Sequence, residues 1–313
     1  MREKLIVLVG PTAVGKTKLS IELAKHLNGE IINGDAFQIY RGMDIGTAKV
    51  SSEEANGVPH HLIDIRNPGD NYSAADYQRD ARQTIHEIAG RGKLPILVGG
   101  TGFYVKAAVY DYHFPSGGSN PAYRADLEEL AQSEGAEALH TRLRAVDPVS
   151  AARIHPNNLV RVIRALEVFH ETGRRFSEQE YEKKLTPLFE TVFIGLTMNR
   201  DLLYQRIDSR IDQMVDQGLL QEVCSLYSQG LRDAQALQAI GYKEFFPYFE
   251  NQCTLEQAVD QLKRNSRHYA KRQFTWFKGQ MNVHWFDMGE ALNHFSQTAV
   301  EVIRYIEEQF SFY

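Results

Sequence analysis

Residues 7–20 read VLVGPTAVGKTKLS and place Gly10, Gly15, Lys16 and Thr17 at the fixed positions of a G-x-x-x-x-G-K-[ST] loop. Residues of these types at this spacing hold a chain of phosphates. The glycines let the backbone of Gly10, Pro11, Thr12, Ala13, Val14 and Gly15 close around phosphate oxygens. Lys16 supplies a point charge, and the Thr17 hydroxyl can ligate Mg²⁺. A helix N-terminus after the loop adds a favourable dipole. The motif strongly indicates a phosphate chain but does not say what the phosphate is attached to.

Three further groups belong to the same chemistry if the chain folds as its pattern suggests. Asp35 follows the apolar run EIING, and Gln38 stands three residues beyond it. Thr101 sits between glycines in GGTG, directly after LPILV. Arg200 opens a helical pattern after the run TVFIGLTM. Each would fall at the C-terminal edge of a parallel sheet, where such folds bind ligands. Asp35 also reads as a helix cap or turn residue, Thr101 as a turn filler, and Arg200 as an exposed helix start. A nucleotide hydrolase would place an acid after PILV to help hold Mg²⁺, and the sequence has glycines there.

The elements that must position these residues are legible as apolar runs separated by helical periodicity. Runs at 4–9, 30–34, 94–100, 191–198 and 283–287 predict buried strands. Patterns at 17–27, 74–89, 201–229 and 255–277 predict helices. In the third of these, Leu203, Ile207 and Ile211 share an apolar face, while Arg206 and Arg210 share another. Alternation of strand and helix predicts an α/β fold: a P-loop NTPase-like parallel sheet flanked by helices. The gap between the third and fourth strands exceeds a simple crossover and contains helical segments of its own. It predicts an all-helical insertion over 116–189, opened by PSGGSNP, within a core formed by 1–115 and 190–313.

Composition narrows the setting. With 313 residues, 43% of them hydrophobic, the chain can bury a large core. Cys224 and Cys253 form no C-x-x-C, which argues against a disulfide framework or structural zinc. The first apolar run stops at Gly10-Pro11, too short for a signal peptide, and no stretch reaches membrane-spanning length. A cytoplasmic protein without membrane contact is expected. The net charge of −5 argues weakly against nucleic acid, but its distribution does not. Residues 263–278, KRNSRHYAKRQFTWFK, carry basic side chains interleaved with aromatics and contain no acid. They read either as a solvated helix face or as a surface for a phosphate backbone.

Taken together, GPTAVGKTKL, GDAFQIYRGMDIGTAK, HHLIDI, YSAADYQRDA, ILVGGTGFYVKA, DPVSAARIHPNNLVRVIRALEV, GLTMNRDLLYQRIDSRIDQMVDQGLLQEV, LQAIGYKE and AKRQFTWFK resemble the tRNA dimethylallyltransferase (tRNA isopentenyltransferase) family almost end to end. The resemblance implies transfer of a dimethylallyl group from dimethylallyl pyrophosphate to N6 of adenosine 37 in the anticodon stem-loop of tRNA. The loop from Gly10 to Thr17 would then hold the donor pyrophosphate. Lys16, Thr17, Asp35 and Arg200 would be catalytic, Arg200 matching the family's pyrophosphate arginine and Thr17 carrying Mg²⁺. Asp35, Ala36, Phe37, Gln38, Thr101, Arg161, Lys271 and Arg272 would contact tRNA, and a monomer is expected. Two positions depart from the pattern. Ala36 stands where the family usually has Ser, and NNLVR at 157–161 puts Val160 where it tends to have Gln.

Competing readings are a small-molecule kinase, an isopentenyltransferase acting on free AMP or ADP, and a non-catalytic RNA-binding protein. The glycines after PILV count against the first. The helical insertion and basic segment count against the second, and the Lys16, Thr17 and Asp35 set against the third.

Overall fold

A computed structural model describes residues 2–114, 120–179, 186–289 and 291–311. Most of PSGGSNP, the expected opening of the insertion, lies outside the described residues. The chain runs β1 (Lys4–Val9), α1 (Lys16–His26), β2 (Gly29–Asn33), α2 (Ser52–Ala55), β3 (His60–His61), α3 (Ala74–Gly90), β4 (Leu94–Gly99) and α4 (Gly102–Val109). Helices α5 (Pro121–Glu134), α6 (Ala136–Val146), α7 (Pro148–Arg153), α8 (Leu159–Thr172) and α9 (Phe176–Gln179) follow. The chain then forms β5 (Glu190–Thr197), α10 (Arg200–Asp216), α11 (Leu219–Ser228), α12 (Phe246–Phe249), α13 (Leu255–Gln280), β6 (His284–Asp287) and α14 (Ala291–Phe310).

The sheet has six strands, all parallel, in the order β3-β2-β4-β1-β5-β6. β1 lies between β4 and β5, and its residues from Leu5 to Val9 are fully buried. That double-sided burial is why its sequence is a continuous apolar run rather than an alternating one. Parallel pairing also brings the ends of β1, β2 and β4 to one edge, so the turns at Gly10, Gly34 and Gly100 become neighbours. The amide of Gly34 donates to Val98 O at 2.7 Å, and that of Thr101 donates to Gly34 O at 3.3 Å.

Contacts divide the chain into two compact units, residues 1–111 with 187–313, and residues 112–186. The second unit is helical and has its own core, built around Leu139, Leu143, Val162 and Val168. Asp147 is fully buried there and accepts hydrogen bonds from the amides and hydroxyls of Ser150 and Ser177. Among the described residues, no helix is long and apolar enough to cross a membrane.

One local expectation differs from the structure, and two elements were not expected. The pattern at 201–229 forms two helices, because Gly218 adopts φ 103° and ends the run between α10 and α11. HHLIDI supplies a sixth strand, β3, whose two residues are too few to show periodicity. GFYVKAAV, next to the GGTG turn, forms α4.

One carboxylate shapes the loop that follows β2. Glu222, on α11, accepts from the amides of Asp44 and Ile45 at 2.8 Å each. Its other oxygen accepts from the Gly46 amide at 3.0 Å and the Tyr242 hydroxyl at 2.6 Å. The approach requires glycine at 46, since a Cβ there would stand 2.6 Å from the Tyr242 ring. Glu222→Ala leaves several amides without partners. It is expected to lower stability in urea unfolding by about 1–3 kcal/mol. Limited proteolysis of the variant should begin in residues 43–50, and an unchanged cleavage pattern would show that the loop does not depend on Glu222.

Candidate active site

A cavity of about 1760 Å³ opens at the C-terminal edge of the sheet, within the first unit. Thr12, Ala13, Gly15, Lys16 and Thr17 of the loop after β1 line it, as do Asp35, Phe37 and Gln38 of the turn after β2. Gly10, Pro11 and Val14 do not line it. Their task is to shape the loop: Val14 is 1% exposed and packs into the core. Gly10, at φ 154°, sits so close to β5 that a Cβ would meet Leu196 O at 2.8 Å. Ala13 holds φ 65°, an uncommon conformation for a residue with a Cβ. The Arg206 guanidinium steadies it, Nε donating to Ala13 O at 3.0 Å.

Lys16 is the electrostatic centre of the loop. Its Nζ donates to Gly10 O at 2.9 Å and Pro11 O at 2.8 Å. Burial and the neighbouring Arg210 lower its pKa to about 7, against the opposing pull of Asp35. An ammonium held so near neutrality is stabilised strongly by an anion, because partial burial has already weakened its hydration.

Asp35 sits in a turn fastened from several sides. The buried Asn33 accepts the Asp35 amide at 2.9 Å through Oδ1 and donates from Nδ2 to Asp35 O at 3.1 Å and Leu62 O at 3.0 Å. One Asp35 carboxylate oxygen accepts the Phe37 amide at 2.9 Å. Burial pushes the Asp35 carboxyl above the usual carboxylate range, against the Phe37 amide and Lys16, which favour the charged form. Behind the turn, Tyr77 donates to Asn33 O at 2.9 Å and stacks on Tyr104 with centroids 4.3 Å apart.

The remaining expected residues fall in different places. Thr101 does not line the cavity. Its Oγ1 accepts the Ala36 amide at 3.1 Å and so pins the Asp35 turn. Gln38 lines the cavity while its Nε2 donates to Thr47 O and Ala48 O, at 3.0 and 3.3 Å. Arg272 is exposed at the cavity wall beside the Tyr269 ring, and Lys271 is exposed on the same helix. Arg161 lies in the first turn of α8, in the second unit, where Asn158 caps the helix through the Arg161 amide. Val160 beside it is 72% exposed.

The expectation that Arg200 reaches the ligand edge is corrected by the geometry. Its side chain is 76% exposed, lies 3.8 Å from Asp201 and does not line the cavity. Within the first turn of α10 it is Leu202 that lines the cavity, and arginines one and a half and nearly three turns after Arg200 line it instead, Arg206 and Arg210. Their i,i+4 spacing on a non-apolar face was the sequence signal for them. The basic segment 263–278 is also less open than its composition suggests. Arg267 pairs with Asp208 at 2.6 Å and Lys263 with Asp212 at 2.5 Å, both on α10. Gln273 and Tyr269, which also line the cavity, carried no charge to mark them in the sequence.

Comparison with known proteins extends this picture. The IPP transferase family model matches residues 38–280. The chain is 58% identical over 306 residues to the tRNA dimethylallyltransferase of Geobacillus thermodenitrificans (strain NG80-2), covering 98% of this chain and 97% of that protein. Among solved structures it is similar to the full-length tRNA isopentenylpyrophosphate transferase of Bacillus halodurans, with a TM-score of 0.76 and 51% identity over 99% of this chain and 97% of that one. It is also similar to a eukaryotic dimethylallyltransferase captured acting on tRNA, with a TM-score of 0.83 and 32% identity over 96% of this chain and 78% of that one. A family match over most of the chain, and identity of this depth over its whole length, mean that the chain belongs to the IPP transferase family.

Proposed function

We propose that this chain transfers a dimethylallyl group from dimethylallyl pyrophosphate to N6 of adenosine 37 in tRNA, releasing pyrophosphate. The observation that carries the reading is one cavity lined by a phosphate loop with a half-buried Lys16 of lowered pKa and by a half-buried carboxylate, Asp35. The names of its relatives support tRNA, rather than free AMP, as the acceptor. The glycines after β4 support group transfer over kinase chemistry, since no acid stands there to hold a nucleotide's metal.

In this reading, Lys16, Arg206, Arg210 and the free loop amides take the pyrophosphate. The allylic C–O bond breaks as the C–N bond forms, and the negative charge that builds on pyrophosphate falls on these donors. The residues fit Mg²⁺ that enters with the donor. Thr17 lines the cavity beside Lys16, and among the described residues no three His, Cys, Asp or Glu side chains gather to hold a metal alone. Thr17 would ligate it and the pyrophosphate oxygens would complete its shell, adding positive charge opposite the leaving group.

The acceptor amine is weakly basic and becomes acidic only as it gains positive charge. Asp35 orients the N6–H, then takes its proton in the transition state. The raised pKa of Asp35 makes it a stronger base than an exposed aspartate. A loop adenine must be turned out of its stack to enter the cavity, at a cost of a few kcal/mol. Phe37 and Gln38 line the space it would occupy. Lys271 and Arg272 on α13, and Arg161 on α8, are assigned to the tRNA backbone.

Incubation with labelled dimethylallyl pyrophosphate and either unmodified tRNA or AMP tests the reading. Label is expected in tRNA, at the adenosine beside the anticodon. Label in AMP alone would overturn it. Asp35→Asn is expected to keep tRNA binding and to slow single turnover by about 10²–10⁴-fold. Asp35 acts ionised, so the wild-type rate should fall as pH drops through a pKa above the ordinary aspartate value, and this limb should vanish in Asp35→Asn. A variant rate within about threefold of wild type would remove Asp35 from the chemistry.

A further inference from the structure

One face of α13 meets the turn after β4 residue by residue. Tyr269, Gln273 and Trp276 are spaced four and three apart, so they share that face. The Tyr269 hydroxyl lies beside the side chains of Thr101 and Gln273. Gln273 Nε2 donates to Gly100 O at 3.0 Å. The Trp276 ring covers Gly102 so closely that a Cβ there would stand 2.2 Å from it. Glycine at 100 is required for the same reason, because a Cβ would fall 2.1 Å from Gln273 Nε2. Gly100 and Gly102 therefore serve close approach by this helix, and Gly99 close approach by the turn at Gly34.

The other polar atom of Gln273 reaches the phosphate loop. Oε1 accepts the Thr12 amide at 3.0 Å. Gln273 is 5% exposed, and both of its polar atoms are engaged with backbone. The amide orientation is fixed, since one end faces an N–H and the other a carbonyl. Gln273 thus joins the phosphate loop to the turn that carries Thr101, and Thr101 holds the Ala36 amide next to Asp35. The Thr12 amide is spent on this bridge, so it is not among the loop amides open to a phosphate.

We propose that Gln273 is a positioning residue for group transfer, setting the spacing between the loop that holds the donor pyrophosphate and the turn that holds Asp35. The proposal rests on the donor and acceptor assignments above. Attack on an allylic carbon needs the amine close to and behind the breaking bond. A displacement of about 1 Å between reacting groups costs on the order of 10²-fold in rate. Because both polar atoms of Gln273 bind backbone, its loss should fall on the chemical step rather than on substrate affinity.

Two variants test this. Gln273→Leu removes both hydrogen bonds at similar volume. Single turnover is expected to slow by about 10²-fold, while dissociation constants for dimethylallyl pyrophosphate and tRNA stay within about threefold. Gln273→Glu supplies the sharper readout and serves even if the leucine variant does not fold. Its ionised carboxylate accepts the Thr12 amide but repels Gly100 O, whereas its protonated form can bond both, as glutamine does. The ratio of its single-turnover rate to that of wild type is therefore expected to rise at least about threefold from pH 8 to pH 6. A ratio independent of pH, or a rate loss matched by an equal loss of donor or tRNA affinity, would overturn the positioning role. A wild-type enzyme that transfers no dimethylallyl group to tRNA would instead overturn the assignment of function.

Discussion

The site depends on a charge that the fold has partly withdrawn from water. Lys16 opens α1, after the loop that follows β1, its ammonium turned onto two carbonyls of that loop and crowded by Arg210. Desolvation and like charge hold its pKa near 7, and Asp35 is the one acid that pulls the other way. An anion with several oxygens, placed over the loop, relieves this arrangement more than any side chain nearby. Asp35 is subject to the converse constraint. Burial raises its pKa, and the amides around it keep the charged form accessible. A cationic group and a basic one, each near the limit of its stability, share one cavity.

Keeping the two apart at a working distance is the task of parallel topology and of α13. The strand order places β4 between β2 and β1, which brings the turns after all three to one edge of the sheet. Glycines remove the side chains that would separate them: a Cβ on Gly99 would stand 2.2 Å from Gly34 O. The buried face of α13 then ties the turns together, while its outer face exposes Lys271 and Arg272. One helix thus borders both the cavity and the surface assigned to tRNA.

Much of this was legible in the sequence where the physical signal is local. β1 and α1 show as a buried run followed by helical spacing, and the loop between them shows as a motif. Asp35 and Thr101 could be placed because strand ends set where they fall. Arg200 falls off the site because the sequence shows where a helix starts but not which residue of its first turn faces the cavity. The break at Gly218 was visible as a glycine, yet the apolar stripe on either side continued through it. Gln273 was hidden for a deeper reason. Its role is set by what lies across the fold, on Thr12 and Gly100, and a neutral side chain carries no mark of such partners.

In the proposed reading the donor pyrophosphate completes the environment of Lys16. Calorimetric titration of the enzyme with dimethylallyl pyrophosphate, in buffers of different ionisation enthalpy, measures the protons taken up on binding. Lys16 is charged below about pH 7 and neutral above it, so binding above that pH must draw a proton from solvent. Uptake of about 0.9 proton per site is expected at pH 8, with affinity falling about tenfold per pH unit from 8 to 9. Binding at pH 8 with no proton uptake, and with affinity constant from pH 7 to pH 9, would contradict that reading.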